Sequence, residues 1–401
     1  MALRATRVGT NGSARRRLPS WIEAFVKHTD NLGSSELFRK WVAIATIAGV
    51  LEQKVWLTTT DQIFPNLYTI LVAPPGIGKT RTIMSARKFL AELPDFCIAP
   101  TSMTMASLVD FLSRSSKKHV LPKGKGILDY HTAMMIMDEW SAFMSEYSHD
   151  IIGGLTTFYD VTVPYRETRI TKSRDTTIER PQLNMLAGST PSNLMKFMPD
   201  FAWDQGFTSR IILVYSDEQR LTDDFAEVQR AVDPNLLHDL NSIYGIIGEF
   251  TITKEWQDHV MAWRVSGEGT KPSHPKLIHY NSRRKVHLYK LSMIAAIDKG
   301  DNLVLTPDCF TTALRWLEEV EINMPLLFSA GTTTIDARAM EEIVDFIRRA
   351  GKPVPQYRLI HQACKLMPGH AVIRMLSLME MSGQIEEAGE ANGQKLYAIS
   401  Q

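Results

Sequence analysis

Cysteine is scarce in this chain, and its scarcity argues against two kinds of structure. Three cysteines occur among 401 residues, Cys97, Cys309 and Cys364, and no CxxC pair or Cys/His cluster accompanies them. Neither a structural zinc site nor a disulfide framework is therefore indicated. We expect the protein to work in a reducing cytoplasm.

Long apolar runs are missing as well. The longest, VAIATIAGVL at residues 42–51, is too short to span a bilayer and lies between Lys40 and Glu52. This run is typical of a buried helix, and we expect no membrane partner. The amino-terminal residues also lack the apolar core of a secretory signal.

A dominant charge of one sign is the third missing feature. The chain has 45 Lys and Arg residues against 44 Asp and Glu, which gives a formal net charge of +1. Global charge therefore indicates no partner, and any nucleic-acid surface must be local. The chain does have 44% hydrophobic residues and the length for two or three domains.

Helix and strand signals alternate up to about residue 215, which predicts an α/β fold with a parallel sheet. The pattern divides the chain into five segments: a flexible basic arm (1–18), an N-terminal helical segment (19–60), an α/β nucleotide-binding core (61–218), a mostly helical segment (219–330) and a C-terminal domain (335–401). The arm has five arginines and no acid, so it either touches nucleic acid or is a solvated tail.

The stretch LVAPPGIGKT, residues 71–80, has the context of a phosphate-binding loop. The apolar strand YTILVA leads into it and the helix RTIMSARKFLAEL follows. The loop opens with Ala73 instead of glycine, but Ala73 ends the strand, where an extended residue fits. The residues expected to bind the nucleotide are Pro75, Gly76, Ile77, Gly78, Lys79, Thr80 and Arg81.

Each part of this loop has a chemical role. Gly76 and Gly78 can adopt positive φ and turn backbone N–H groups towards phosphate. Lys79 would reach the β- and γ-phosphates, and the Thr80 hydroxyl would bind Mg²⁺. The following helix adds its positive N-terminal end. We therefore expect ATP and Mg²⁺ as ligands.

An acidic signal supports hydrolysis. AMMIMDEW, residues 133–140, is an apolar strand that ends in Asp138 and Glu139. Carboxylates at the carboxyl end of a buried parallel strand lie where such sheets bind ligands. We expect Asp138 to hold Mg²⁺ and Glu139 to polarise the attacking water.

Two later segments complete a recognisable order. PQLNMLAGSTPSNL (181–194) is an apolar strand whose polar end includes Thr190, and GFTSRIILVY (206–215) places Arg210 immediately before another strand. With the phosphate loop, the acidic strand and the helical stretches after them, this order resembles the AAA+ ATPases. Within them it is similar to the minichromosome-maintenance helicases and the related phage and prophage replication ATPases, over about residues 60–340.

The resemblance implies a parallel-sheet core, a helical lid, a C-terminal winged helix and subunits that form a ring, commonly a hexamer. Thr190 takes the first-sensor position, where the family usually has asparagine. Arg210 matches the arginine finger that acts on the neighbouring subunit, worth about 10³–10⁵ in rate. A local ion pair is the alternative for Arg210. Arg283, which opens a lid helix, is the better match for the second sensor, with Arg284 close behind.

A hairpin is predicted between the acidic strand and the strand that ends near Thr190. YRETRIT and TTIER alternate charged and β-branched residues around a Lys-Ser-Arg-Asp turn. In the resembling helicases, a hairpin at this place grips DNA in the ring channel. Carried over, Lys172 and Arg174 would be the tip contacts and Arg169 a flanking one. A solvated surface hairpin is the alternative.

A second basic stretch, SSKKHVLPKGKG at residues 115–126, is expected to be a loop. Its lysines are Lys117, Lys118, Lys123 and Lys125. It is either a second channel or partner-binding loop, or a flexible surface connection.

Residues 335–401 predict three helices and a hairpin, the pattern of a winged helix. Val372, Leu376 and Met379 follow helical spacing, and we expect them in its core. Arg374 and Lys395 could meet phosphate, but three glutamates crowd the hairpin. A protein partner, such as another replication protein, is therefore an equal alternative to DNA.

The sequence thus predicts an ATP hydrolase that drives a ring-forming DNA motor. It would be a replicative helicase of phage or mobile-element type, acting on single-stranded or forked DNA in the cytoplasm of a bacterial or phage-infected cell. One alternative is an AAA+ replication initiator or helicase loader that hydrolyses ATP without unwinding. Another is a protein-remodelling or defence-signalling ATPase.

Overall fold

The fold is α/β, with parallel strands that alternate with helices as the sequence pattern predicts. The computed structural model describes residues 16–121, 126–143, 149–161, 164–169, 174–198, 200–204, 206–223, 232–300, 302–331, 335–391 and 393–400. The chain divides into a first unit that ends at Leu327 and a second unit that begins at Phe328.

The strands up to Leu327 are β1 (Val55–Thr58), β2 (Gln62–Ile63), β3 (Tyr68–Val72), β4 (Ser116–Val120), β5 (Ile127–Met137), β6 (Tyr165–Arg169), β7 (Arg174–Ile178), β8 (Pro181–Ser189), β9 (Ile211–Tyr215), β10 (Gly248–Ile252) and β11 (Val304–Leu305). The helices that begin in this unit are α1 (Trp21–His28), α2 (Glu36–Leu51), α3 (Lys79–Ala91), α4 (Met105–Arg114), α5 (His149–Asp160), α6 (Pro191–Phe197), α7 (Asp200–Asp204), α8 (Pro234–Tyr244), α9 (Lys254–Val265), α10 (Ile278–Gly300), α11 (Pro307–Glu321) and α12 (Met324–Gly331).

The central sheet has the strand order β4-β5-β8-β3-β9. β3 runs parallel to both β8 and β9, and β5 runs parallel to β8, whereas β4 pairs antiparallel with β5. Every residue of β3, β8 and β9 is buried. Continuous burial is expected of parallel strands covered on both faces, and it explains why these strands show no polar alternation.

The apolar run at residues 42–51 forms the buried second half of α2, as predicted. Ser35 caps the helix, because its hydroxyl accepts a hydrogen bond at 3.3 Å from the backbone N–H of Phe38. α2 lies against β3, β8 and β9 and against α3. This helix therefore supports the strand and the helix that flank the glycine loop.

A second sheet joins segments that the sequence assigned to different domains. Its order is β11-β10-β1-β2, and β1 runs parallel to β10 with Leu57 opposite Phe250. Helices α1 and α2 also pack against α8. Residues 19–60 and 219–327 are therefore parts of the same unit as the core, because their apolar faces pack against each other.

The described end of the basic arm is bound to the first unit. The backbone N–H of Arg17 donates to Asp239 Oδ1 at 2.9 Å, and Arg16 Nη1 donates to the carbonyl of Ile297 at 2.7 Å. The expectation of a flexible or solvated arm is thus wrong for these residues, since buried carboxylates hold them. Residues 1–15 lie outside the described residues.

The basic stretch 115–126 is also different from the predicted loop. It contains strand β4, and the Lys117 ammonium forms an ion pair with the buried Glu52. Lys118 pairs with Asp129 across the β4–β5 ladder, with 3.1 Å between Nζ and Oδ2. Lys123 and Lys125 lie outside the described residues. Lys117 is therefore half-buried and not a fully solvated lysine, and Glu52 supplies its counter-charge.

The predicted hairpin is present as β6 and β7, which pair antiparallel with Arg169 opposite Arg174. The hairpin leads into the amino end of β8, where His131 of β5 lies opposite Pro181. It is thus connected to the sheet edge opposite to the one where β3 and β8 end. Lys172, the expected tip contact, lies outside the described residues.

The second unit contains α13 (Ile335–Ala350), α14 (Gln356–Ala363) and α15 (Gly369–Met381), with strands β12 (Val354–Pro355), β13 (Ile385–Ala391) and β14 (Gln394–Ile399). The three strands form one antiparallel sheet in the order β12-β14-β13. Val372, Leu376 and Met379 are fully buried, which confirms their predicted place in the core. Within the described ranges, no helix combines the length and apolar character needed to cross a membrane.

Candidate functional site

A cavity of about 610 Å³ collects the residues that the sequence singled out for nucleotide binding. It is lined by Pro75, Gly76, Ile77, Gly78, Lys79, Thr80, Arg81, Asp138, Glu139 and Thr190, together with Leu32, Gly33, Gln219, Arg220 and Thr222. The strand directions explain this convergence, because β3, β5 and β8 are parallel and end at the same edge. Ligands of open α/β sheets bind at this edge.

The loop between β3 and α3 requires glycine at two positions. Gly76 has φ 88° and Gly78 has φ 67°, both in the left-handed region. A Cβ on Gly78 would lie 2.7 Å from the carbonyl oxygen of Leu32 and 2.9 Å from the backbone nitrogen of Ser34. Gly78 therefore provides both the turn and the close approach of the segment 32–34. In addition, the Ser34 and Thr82 hydroxyl oxygens lie 2.6 Å apart, which ties that segment to α3.

Lys79 is held against the wall of the cavity. Its ammonium donates to the carbonyl oxygens of Ala73 at 2.7 Å and Pro74 at 2.9 Å, and 8% of the residue is exposed. Burial lowers the pKa of Lys79, and the negative charge of Glu139 opposes that shift. The lysine is thus a desolvated cation whose partners are neutral carbonyls, an arrangement that an anionic phosphate can replace.

Glu139 is oriented by residues at the end of the neighbouring strand. Its Oε1 accepts from the Ser189 hydroxyl at 3.2 Å and from Asn193 Nδ2 at 3.5 Å. Thr190, the predicted sensor, lines the cavity, but its hydroxyl accepts from the backbone N–H of Asn193 at 3.2 Å and so caps α6. Ser189 and Asn193 are therefore the groups in contact with Glu139, and the strand-end rule that indicated Thr190 applies equally to Ser189.

The approach of Asp138 to the neighbouring strand depends on Gly188. A Cβ on Gly188 would lie 2.5 Å from the carbonyl oxygen of Asp138, closer than any ordinary contact. Only glycine therefore allows the end of β5 to approach β8 in this way. This contact fixes the backbone from which Asp138 and Glu139 project.

Two oxygen-bearing side chains in the cavity fit a magnesium ion. Thr80 and Asp138 both line the cavity and both are exposed to solvent. Mg²⁺ commonly takes one or two protein oxygens and completes its shell with substrate phosphates and water. The described part of the chain has no group of three or more His, Cys, Asp or Glu arranged for a metal, so a site here would depend on the phosphates for the remaining ligands.

Arg210 and Arg283 lie together at the opposite edge of the sheet. Arg210 precedes Ile211, which is opposite Tyr68 at the amino end of β3, roughly 15 Å of strand away from the loop. Both guanidinium groups donate to the Asp160 carboxylate: Arg210 to Oδ2, and Arg283 to Oδ1 at 3.1 Å. The structure therefore brings the two predicted arginines together but places neither at the phosphate loop of its own chain.

The surroundings of these arginines are strongly polarised. Burial alone would raise the pKa of Asp160, but hydrogen bonds and charges from Arg210 and Arg283 hold it below its usual value. The Nε2–H of His287 donates to the carbonyl of Ser209 at 2.8 Å, and burial lowers the pKa of this ring to about 3. Asp160 is thus a charged carboxylate and His287 a neutral ring at neutral pH.

Sequence reasoning missed the segment that follows β9. Gln219, Arg220 and Thr222 of this segment line the cavity, close to the turn at Gly33. This segment begins at the carboxyl end of β9, where the N–H of Ser216 donates to the carbonyl of Val72 at 3.2 Å. The strand-end rule could have identified it, had it been applied to the last strand as well as to β5 and β8.

Neither the protein-family models nor the curated proteins give a match to this chain.

Proposed function

We propose that this protein is an AAA+-type ATP hydrolase whose subunits assemble into a ring and move along single-stranded DNA, as a replicative helicase of phage or mobile-element type would. The observation that carries the proposal is the convergence of the glycine loop, Lys79, Asp138 and Glu139 on one cavity. A lysine, an exposed carboxylate and an oriented glutamate are the groups that phosphoryl transfer to water needs.

In this proposal ATP lies with its phosphates against the N–H groups of the loop and the start of α3, whose positive end faces them. Lys79 exchanges the carbonyls of Ala73 and Pro74 for the β- and γ-phosphates. Mg²⁺, held by Thr80 and Asp138, would neutralise charge on the phosphate oxygens. Glu139 accepts a hydrogen bond from the attacking water and orients it, while Ser189 keeps the carboxylate in place.

The proposal assigns Arg210 to the site of a neighbouring subunit. Because Arg210 lies at the amino edge of its own sheet, it is too far from its own loop to contact the γ-phosphate there. A second copy that presents its carboxyl edge would bring phosphates to this arginine. An arginine supplied in this way stabilises the transition state by roughly 4–7 kcal/mol.

The DNA contact is assigned to the β6–β7 hairpin. Its position between the acidic strand and β8 is the support for this assignment, and Arg169, Lys172 and Arg174 are the proposed phosphate contacts. The hairpin follows α5, whose last residue is Asp160, the partner of Arg210. A change at the subunit seam would thus be connected to the DNA contact by a few residues of backbone.

The C-terminal unit is assigned to the winged-helix class. Three helices, a short strand and a terminal hairpin in one antiparallel sheet support this assignment. Lys395 of the hairpin is paired with Glu387, with 2.6 Å between Nζ and Oε2. Because that pairing competes with phosphate, we assign this unit to a protein partner of the replication machinery.

ATP turnover by the purified chain tests the proposal. Lys79→Ala should abolish nucleotide binding, and Glu139→Gln should bind ATP without cleaving it. Lys254→Ala and Glu255→Gln, at exposed positions where α9 begins, are the matched controls and should keep wild-type turnover. Turnover at the wild-type rate by Lys79→Ala would show that the site lies elsewhere.

Strand displacement separates a motor from a switch. A forked duplex with a labelled strand should be unwound in the presence of ATP and left intact with Glu139→Gln. DNA-stimulated turnover without displacement would instead identify an initiator or helicase loader. Turnover that DNA does not stimulate would indicate a protein-remodelling ATPase.

A further inference from the structure

Arg220 lies in the candidate nucleotide cavity, at a position from which an arginine can contact a nucleotide bound to its own subunit. It lines the cavity together with Lys79, Thr80 and Glu139. It also lines a neighbouring cavity of about 1050 Å³, which shares Leu32, Arg81 and Arg220 with the first. Arg220 therefore lies at the junction between the phosphate loop and a space large enough for a nucleoside.

The backbone of Arg220 is fixed in this position. A Cβ on Gly33 would lie 2.9 Å from the Thr222 side chain and 3.8 Å from the Arg220 carbonyl, and Gly33 in turn lies against Gly78 of the loop. The side chain of Asn31 holds Asp223 with two hydrogen bonds, to its carbonyl at 3.2 Å and from its N–H at 3.1 Å. Residues 220–223 thus pack against the turn at Gly33, and this turn packs against the phosphate loop.

The guanidinium of Arg220 is held by partners that it can leave at low cost. Its Nε donates to Glu218 Oε1 at 2.9 Å and its Nη1 to Asp30 Oδ1 at 3.3 Å, and 38% of its side chain is exposed. Glu218 is 53% exposed and can be rehydrated, and Asp30 keeps a hydrogen bond from the buried Arg39. Exposed ion pairs contribute little to stability, whereas an arginine–phosphate pair can be bidentate and charge-assisted.

We infer that Arg220 binds the phosphates of the nucleotide held by its own subunit, by exchanging Glu218 for phosphate oxygens. This inference rests on the proposed nucleotide site. It also means that the arginine that contacts the nucleotide of its own subunit follows β9 and does not lie on α10. Arg283 of α10 instead pairs with Asp160 at the other edge of the sheet. The ligand class is the polyphosphate chain of a nucleoside di- or triphosphate.

Binding of a fluorescent ATP analogue, and its displacement by tripolyphosphate, tests the inference in the full chain. Arg220→Ala should weaken both affinities by about tenfold to a hundredfold, the loss expected for a hydrogen bond to a charged group. Arg220→Lys should lose less, because it keeps the charge. Arg264→Ala, an exposed arginine of α9 that lines neither cavity, is the matched control and should leave both affinities within about twofold of wild type.

In Arg220→Ala the Glu218 carboxylate loses its arginine partner and could itself repel phosphate. A second variant tests for this repulsion. The double variant Arg220→Ala/Glu218→Gln should remain as weak as Arg220→Ala if the lost group is a phosphate contact. Recovery of wild-type affinity in the double variant would overturn the inference. So would a loss confined to the ATP analogue with unchanged tripolyphosphate affinity, because Arg220 would then contact only the nucleoside.

The two proposals fail in different ways. If the wild-type chain binds neither the ATP analogue nor tripolyphosphate, the nucleotide site itself is refuted, and Arg220 with it. If the wild type binds both and Arg220→Ala binds them equally well, only the role of Arg220 is refuted.

Discussion

Arg210 and Asp160 form an ion pair at the amino edge of the central sheet, with only 9% of the arginine side chain exposed. The arginine that the proposal assigns to a neighbouring subunit is therefore held by its own. In the proposed ring, the subunit interface would have to open or reshape this pair before Arg210 contacts a phosphate. Under the proposal, Asp160 would then connect the stability of the single chain with the assembly of the site.

Replacing Asp160 should weaken the folded chain. In Asp160→Asn two poorly exposed guanidinium groups lose their counter-charge, and we expect a loss of about 1–3 kcal/mol in the free energy of unfolding. Denaturant unfolding at pH 7 measures it, with Asp258→Asn at an exposed position of α9 as the control.

The stability difference between wild type and Asp160→Asn should depend on pH. The pKa of Asp160 is lowered in the folded state, so its contribution is present above the unfolded value of about 3.9 and is lost as pH falls through the folded value. The difference between wild type and Asp160→Asn should therefore shrink in acid. A difference that stays constant down to pH 3 would contradict the ion pair.

Ser189 should matter more than Thr190 for the chemical step. Ser189→Ala removes a hydrogen bond to Glu139 and should lower ATP turnover by roughly tenfold with little change in ATP affinity. Thr190→Ala removes the cap of α6 and should lower stability by about 1 kcal/mol with a smaller effect on turnover. Single-turnover kinetics together with thermal unfolding separate the two, and the reverse order would restore Thr190 as the sensor.

The hairpin should account for the salt dependence of DNA binding. Each phosphate contact on single-stranded DNA contributes about 0.7 to the slope of log affinity against log salt concentration. Removing Arg169, Lys172 and Arg174 together should therefore lower the slope by about 2. Lys118→Ala, an exposed lysine paired with Asp129, is the control. An unchanged slope in the triple variant would place the DNA elsewhere.

Lys54 should make the free energy of unfolding depend on pH, independently of the nucleotide site. It is fully buried beside Glu52 and donates to the carbonyl of Tyr244, and burial lowers its pKa to about 7. The unfolded chain then binds a proton that the folded chain does not, between pH 7 and about 10.4. The free energy of unfolding should rise with pH in this interval, by up to roughly 1.4 kcal/mol per pH unit.

The comparison with Lys54→Met isolates this contribution, because groups distant from Lys54 titrate in the same way in both proteins. The difference between wild type and variant should increase in favour of the wild type from pH 7 to pH 10. A difference that does not change over this range would show that Lys54 remains charged in the folded chain.

The sequence predicted the parts whose signals are local. The loop around Lys79, the acidic strand end at Asp138 and the buried helix α2 each depend on neighbours within a few residues, and each lies where expected. The ion pairs between distant parts of the chain are not local. Asp160 and Arg210 are 50 positions apart, and Lys117 and Glu52 are 65 apart, so no periodicity could indicate either pair.

Solvent exposure was predicted least reliably from the charge of a residue. A basic stretch is usually solvated, yet Lys117 is half-buried, and a distant buried glutamate neutralises it. In the same way, β1 gave no sign that it would pair with β10, since the register of a parallel pair depends on packing and not on a turn.

The central claim is that ATP is cleaved at a seam between two copies of the chain, and mixing two inactive variants tests it most directly. Lys79→Ala keeps Arg210 but cannot bind ATP, and Arg210→Ala keeps the loop but lacks the arginine. We predict that each is inactive alone and that a mixture regains ATP turnover, because some seams combine an intact loop with an intact arginine. A mixture as inactive as its components, although both variants fold and assemble, would contradict the account.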